Sequence, residues 1–252
     1  MDYHFWLTVL SEFLGTMVLI ILGNGVNYSV SGRKMFANQP GKWTVIIFGW
    51  GIAVMAGVLV SRSLGGFGHL NPAVSIYGAI SNKDATLLIY IPFQLLGAMV
   101  GQIVLDFINW KHIQETELSA IRSSHCTGPV YDNKKDKALI FNFSYELVGT
   151  LMLVGVILAF NRGAAAKDVA SLGPLPVTWL VVGIGASIGA STGYAINPAR
   201  DFGPRIIYWF LESIMLKKRK SEHIGANWKY SWLPVVAPSL AGAIIGLFAL
   251  IH

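Results

Sequence analysis

The sequence predicts an all-α membrane protein with six transmembrane helices and two re-entrant half-helices in an inverted repeat. Three observations lead there. Hydrophobic residues make up 54% of the 252-residue chain and charged residues 13%, about half the quarter that is usual in soluble domains. Six apolar segments lie near residues 5–27, 43–61, 86–110, 139–160, 174–192 and 231–251. Each is close to the roughly 20 residues that cross a ~30 Å hydrocarbon layer. Finally, one short phrase is written twice between them, as Gly68-His69-Leu70-Asn71-Pro72-Ala73-Val74 and as Gly193-Tyr194-Ala195-Ile196-Asn197-Pro198-Ala199-Arg200.

The elements follow in order. The first segment lacks a basic leader and a small-residue cleavage site and carries Glu12, so it reads as a retained span. After the second segment comes the first Asn-Pro-Ala phrase. Asn is a strong N-cap, and Pro at the first helical position gives up only an N–H that would be unpaired anyway. A helix from Asn71 to about Ile80 rises only ~16 Å, half of the membrane. The segment 86–110 is the third crossing, and 111–138 links the halves. The segments 139–160, which carries Glu146, and 174–192 follow. Asn197 then starts a second half-helix running to about Leu211, and 231–251 closes the chain. Glycines spaced by four, such as Gly97 and Gly101, Gly185 and Gly189, and Gly242 and Gly246, predict close helix packing.

Three crossings in each half are an odd number, so the second half stands upside down relative to the first. The chain is therefore read as one transmembrane domain over 1–252, with repeats at about 1–110 and 139–252. The half-helices enter from opposite faces and their N-termini meet near the midplane, a design found in membrane transport. Non-helical backbone at that depth survives only where it is buried in protein or lines a wet cavity. The loops 65–70 and 191–196 are such backbone and are expected to line a pore with carbonyl oxygens. A carboxylate in a spanning helix costs ~2.5–3.5 kcal/mol on insertion scales and needs partners. Glu12 and Glu146 are accordingly predicted to clamp the buried N–H groups of these loops, with His69 supporting the first.

Other classes fall away. The single cysteine, Cys126, forms no intrachain disulfide. The net charge of +6 sits in short loops, which argues against nucleic acid; Lys217-Lys218-Arg219-Lys220 reads as a solvated loop near lipid. No nucleophile–base pair, metal-ligand cluster or phosphate-binding loop is apparent, so no enzymatic activity, cofactor or metal is expected. Coupled transporters also use inverted repeats. Beyond Glu12, Glu146 and Asp201, however, no carboxylate within the membrane is expected to carry coupling.

With two Asn-Pro-Ala boxes 126 residues apart, each behind a glutamate-bearing helix, the chain resembles the major intrinsic protein family, the aquaporins and glycerol facilitators. The resemblance covers nearly the whole chain and implies an aquaporin-like fold. It implies that Asn71, Pro72, Ala73, Asn197, Pro198 and Ala199 form the paired pore motifs, with the two Asn amides donating to passing solute. The family's narrowest point falls here on Trp50, Gly185, Tyr194 and Arg200. Trp50 and Tyr194 would face a polyol's carbon edge and Arg200 its hydroxyl edge, while Gly185 would leave room for a solute wider than water. Asp201 follows Arg200 in Asp201-Phe202-Gly203-Pro204-Arg205, which reads like the signature of the glycerol-permeable branch, and it would complement the positive start of its half-helix. That branch usually carries phenylalanine where this chain has Tyr194.

The implied activity is passive conduction of glycerol, other small neutral solutes and water, with protons and ions excluded; the alternative is a strictly water-selective aquaporin. Exclusion by an arginine and by half-helix dipoles is the general account of aquaporin-type pores, and it comes with the resemblance. So do four-fold assembly, a place in the plasma membrane and cytoplasmic termini. Loop charge argues against that orientation. Of the 19 Lys and Arg residues, Arg200 and Arg205 lie in the second half-helix. Arg62, Lys83, Arg162 and Lys167 would be internal and the other 13 external, against the positive-inside rule.

Overall fold

The computed structural model describes residues 3–163 and 166–251. Among these residues every regular element is helical. The first half comprises α1 (Tyr3–Ser31), α2 (Lys42–Ser63), the half-helix α3 (Pro72–Ser81) and α4 (Tyr90–Ile108), which a short 3-10 turn precedes. Two short helices, α5 (Trp110–Glu115) and α6 (Leu118–His125), fold within the linker. The second half comprises α7 (Leu139–Phe160), the short α8 (Ala166–Ser171), α9 (Leu175–Ile188), the half-helix α10 (Pro198–Phe210), the single turn α11 (Trp228–Ser231) and α12 (Leu233–Ile251).

Five stretches, Tyr3–Ser31, Lys42–Ser63, Ala85–Ile108, Leu139–Phe160 and Trp228–Ile251, are long and apolar enough to cross a membrane. The predicted span 174–192 is a correction in length. Its regular helix runs only over Leu175–Ile188, 14 residues, and 189–192 belongs to the loop that leads into α10. Beyond Ile188 the chain turns, with Gly193 N donating to the Gly189 carbonyl at 2.9 Å, and the Tyr194 ring packs on the face of Gly185 and Gly189. At the other half-helix, α10 ends at Phe210 and a wider π-type turn over Leu211–Met215 extends it.

The two halves pack alike. α1 lies against α2 and α4, and α7 lies against α9 and α12. Each half-helix then crosses into the other half: α3 packs on α12, and α10 packs on α4. Small residues permit the approach, since a Cβ added at Gly242 would run into the Ala73 backbone and one at Gly97 into the Phe13 backbone.

At one end of the bundle three segments are tied to each other. Arg33 N donates to Thr116 Oγ1 at 2.9 Å, Lys34 pairs with Glu115 at 2.8 Å, and Arg219 donates to the carbonyls of Ile113 and Thr116 at 3.1 and 2.9 Å. This pairing of Glu115 with Lys34 holds its carboxyl below the usual range. At the opposite end Arg162 donates to the Ala249 carbonyl at 2.8 Å.

Candidate conduction pathway

Both half-helices begin as their sequences dictate. Asn71 and Asn197 are extended caps whose Oδ1 atoms accept from Ala73 N at 2.9 Å and from Ala199 N at 3.0 Å, with proline next in each case. The caps also settle which edge of each amide is nitrogen. Asn71 Nδ2 donates to the Ile196 carbonyl and Asn197 Nδ2 donates to the Leu70 carbonyl, both at 2.8 Å. The helix starts are therefore cross-tied tip to tip. Each amide keeps a second N–H for whatever passes.

The accepting carbonyls belong to backbone of an uncommon kind. Leu70 has φ 51° and Ile196 has φ 40°, both left-handed and both non-glycine, a state that persists only where surroundings over-determine it. The buried glutamates do this. Glu12 accepts from His69 N at 2.8 Å and Leu70 N at 2.7 Å. Glu146 accepts from Ala195 N at 3.0 Å and Ile196 N at 2.9 Å. Both carboxylates are fully buried, so each exchange satisfies an anion and two orphan donors at once. His69 bonds Ser75 Oγ through Nδ1 at 3.1 Å, and Gln94 bridges Ser75 and Glu12 at 2.9 and 2.8 Å.

A cavity of about 530 Å³ runs past this junction, lined from Arg62 and Asn161 at one mouth through Asn71 and Asn197 to Trp50, Tyr194 and Arg200. His69 lines it as well. Pro72, Pro198 and Ala199 instead border an apolar groove on the outer side of the junction, and Ala73 is buried. Within the cavity lining, the guanidinium carbon of Arg200 lies 4.2 Å from the centre of the Trp50 ring. Among the described residues it makes no ion pair.

Gly185 differs from expectation. The space beside it is taken by Tyr194: a Cβ added there would fall 2.9 Å from Tyr194 Cζ and 3.0 Å from its hydroxyl oxygen. Trp43 secures the arrangement, donating to the Gly185 carbonyl at 3.1 Å and meeting Tyr194 edge-on with centroids 5.7 Å apart. Asp201 also does more than complement a helix start. It forms a fully buried pair with Arg205 at 2.8 Å and accepts from Thr127 N and Oγ1 at 2.8 and 2.6 Å. Arg205 in turn donates to the Thr127 carbonyl at 2.8 Å and, in an equally direct bond, to that of Ala226 at 2.6 Å.

Two more carboxylates, Asp106 and Glu212, are buried besides Glu12, Glu146 and Asp201. Asp106, in the last turn of α4, contacts Tyr28, Gln102 and His125. Glu212 accepts from Ile224 N at 2.7 Å and Gly225 N at 3.0 Å. Both are engaged with protein groups. A signal was present, since Gln94, Ala98, Gln102 and Asp106 recur every four residues and trace a buried stripe on α4.

An all-helical bundle crossed by two abutting half-helices has the aquaporin-like architecture. The sequence matches the major intrinsic protein family over residues 1–251, and the chain belongs to that family. It is 44% identical over 248 residues to a probable glycerol uptake facilitator protein of Mycoplasmoides gallisepticum, covering 96% of each chain. It is 42% identical over 237 residues to a glycerol uptake facilitator protein of Streptococcus pneumoniae, covering 92% of this chain and 94% of the other. Among solved structures it resembles the aquaglyceroporin from Plasmodium falciparum, with a TM-score of 0.76 and 28% identity over 97% of this chain and 95% of that one.

Proposed function

We propose that this chain is a non-enzymatic, passive channel that conducts glycerol and other small neutral solutes, with water, while excluding protons and ions. The observation that carries the reading is the junction itself. Asn71 and Asn197 are cross-tied at 2.8 Å with spare amide donors on one cavity, and Arg200 over Trp50 lines it as well. A polyol's hydroxyls meet Arg200 and the two amides, its carbons meet Trp50 and Tyr194, and its dehydration is partly offset by loop carbonyls. A cation meets two helix starts, each equivalent to about half a positive charge, and the full charge of Arg200. The names of the relatives support glycerol as the solute.

In this reading 1–252 is a single channel domain of two inverted halves, with Asn71-Pro72-Ala73 and Asn197-Pro198-Ala199 as pore motifs. Trp50, Gly185, Tyr194 and Arg200 form the filter, and Glu12, Glu146, His69 and Asp201 support the loops. The channel sits in the plasma membrane as a homotetramer with cytoplasmic termini. The test is swelling of reconstituted vesicles under a glycerol gradient: flux above protein-free vesicles is expected, and its absence refutes the reading. One observation favours the strict water channel as a second reading, the seat of Tyr194 in the space beside Gly185; water flux without glycerol flux in that assay would establish it. A cysteine placed at Lys135 should react with impermeant reagent on intact cells, and protection there would reverse the orientation.

A further inference from the structure

Arg200 carries its charge in the protein interior, 4% exposed, yet no carboxylate touches it. The neighbouring Asp201 is occupied by Arg205 and Thr127. Among the described residues, the side-chain acceptor hydrogen-bonded to its guanidinium is Asn24 Oδ1, 3.5 Å from Nη1. Asn24 is itself fully buried on α1. Its Nδ2 donates to Gln102 Oε1 at 2.7 Å and to the His125 carbonyl at 3.0 Å. Gln102 Nε2 then donates to Asp106 Oδ1 at 2.9 Å. Asp106 is further held by the Tyr28 hydroxyl at 2.8 Å and by His125 Nε2 at 3.1 Å.

These bonds have a direction. An arginine only donates and a carboxylate only accepts, so neither amide can be reversed without facing donor to donor or acceptor to acceptor. Two amides thus connect the guanidinium to a buried carboxylate, and each bond polarises the next. One turn further along α1, Asn27 Oδ1 accepts from Trp50 Nε1 at 3.3 Å. Arg200 and Trp50, stacked on each other, are therefore both held from behind by asparagines spaced by three on one helix. Asn24, Asn27, Gln102 and Asp106 do not line the cavity.

We propose that Asn24 and Asn27 are specificity-determining positioning residues: α1 sets where Arg200 and Trp50 stand, and the Asp106–Gln102–Asn24 chain anchors the Arg200 charge from outside the conduit. Water passes any opening wide enough and oriented to hydrogen-bond it. Glycerol needs donors and an apolar wall in register. Misplacing Arg200 or Trp50 therefore penalises glycerol more than water.

The inference rests on the channel reading above, and the experiment separates the two. Water and glycerol permeabilities are measured on the same vesicles for the wild type and for Asn24→Leu, Asn27→Leu and Asp106→Asn. If the wild type carries no glycerol, the channel reading fails and the inference goes with it. If it does, the glycerol-to-water ratio is expected to fall roughly 2- to 10-fold in Asn24→Leu and Asn27→Leu, as for loss of one hydrogen bond. It is expected to fall less, in the same direction, in Asp106→Asn. A purely structural role lowers both fluxes together and leaves the ratio unchanged, and that result overturns the proposal. Should Asn24→Leu not fold, Gln102→Met breaks the same chain one link further from the conduit, and an unchanged ratio there overturns it equally. Asn24→Ser, which keeps an oxygen acceptor toward Arg200, is expected to recover part of the ratio.

Discussion

The two re-entrant loops are built on one plan and finished differently. Each carries a left-handed residue before its asparagine, each is clamped through two backbone N–H groups by a buried glutamate, and each lends a carbonyl to the other's amide. The first loop is then backed by neutral groups: Ser61, Ser75, Gln94 and the ring of His69. The second carries Tyr194, and the half-helix it leads into carries Arg200 and is braced by the ionic Asp201–Arg205 pair, which reaches out to Thr127 and Ala226. In the proposed channel, duplicated support makes the junction, whereas unduplicated residues, Tyr194 and Arg200 among them, make the opening selective.

The largest effect is expected where the brace is broken. Asp201→Asn leaves Arg205 as an uncompensated buried charge and should cost about 3–5 kcal/mol, read as a lowered melting temperature in detergent. Next come the clamps. Glu146→Leu and Glu12→Leu each orphan two buried N–H groups at about 1–3 kcal/mol apiece. Only the Glu146 variant should also lower the glycerol-to-water ratio; equal loss of selectivity in both would break the comparison.

Arg200→Ala should then leave most of the stability and admit a measurable cation conductance, read as vesicle depolarisation. Unchanged ion exclusion would remove Arg200 from the barrier. Gly185→Ala drives a methyl to within 2.9 Å of the Tyr194 ring and should cost about 1–3 kcal/mol as overpacking, with glycerol flux falling more than water flux. The smallest change is Tyr194→Phe. Its hydroxyl is buried with no partner among the described residues, so stability should shift by less than about 1 kcal/mol, while the glycerol-to-water ratio rises. A falling ratio would make the hydroxyl a solute ligand.

Much of this was legible in the chain. Span lengths, the half-length helices at Asn71 and Asn197 and the clamping glutamates follow from local rules: the thickness of a bilayer, the capping preference of Asn-Pro, and the cost of a lone carboxylate in hydrocarbon. Where the reading went astray, distant contacts had overruled local ones. α9 stops at Ile188, and the Tyr194 ring packs against its last turns. The space at Gly185 is filled by that same ring. Asp106 was passed over because its partners Tyr28 and His125 lie on other elements.

The sequence by itself determined that the chain spans a membrane, that its halves repeat each other and that two helices begin inside the bilayer. Periodicity, hydropathy and capping act over a few residues, so they are visible in one dimension. Only the tertiary structure decided what stands behind Arg200 and Trp50: Asn24 on the first, Asn27 on the second, and Asp106 at the far end of the chain of amides. A hydrogen bond between side chains 176 positions apart leaves no trace in local pattern, because packing alone brings its partners together.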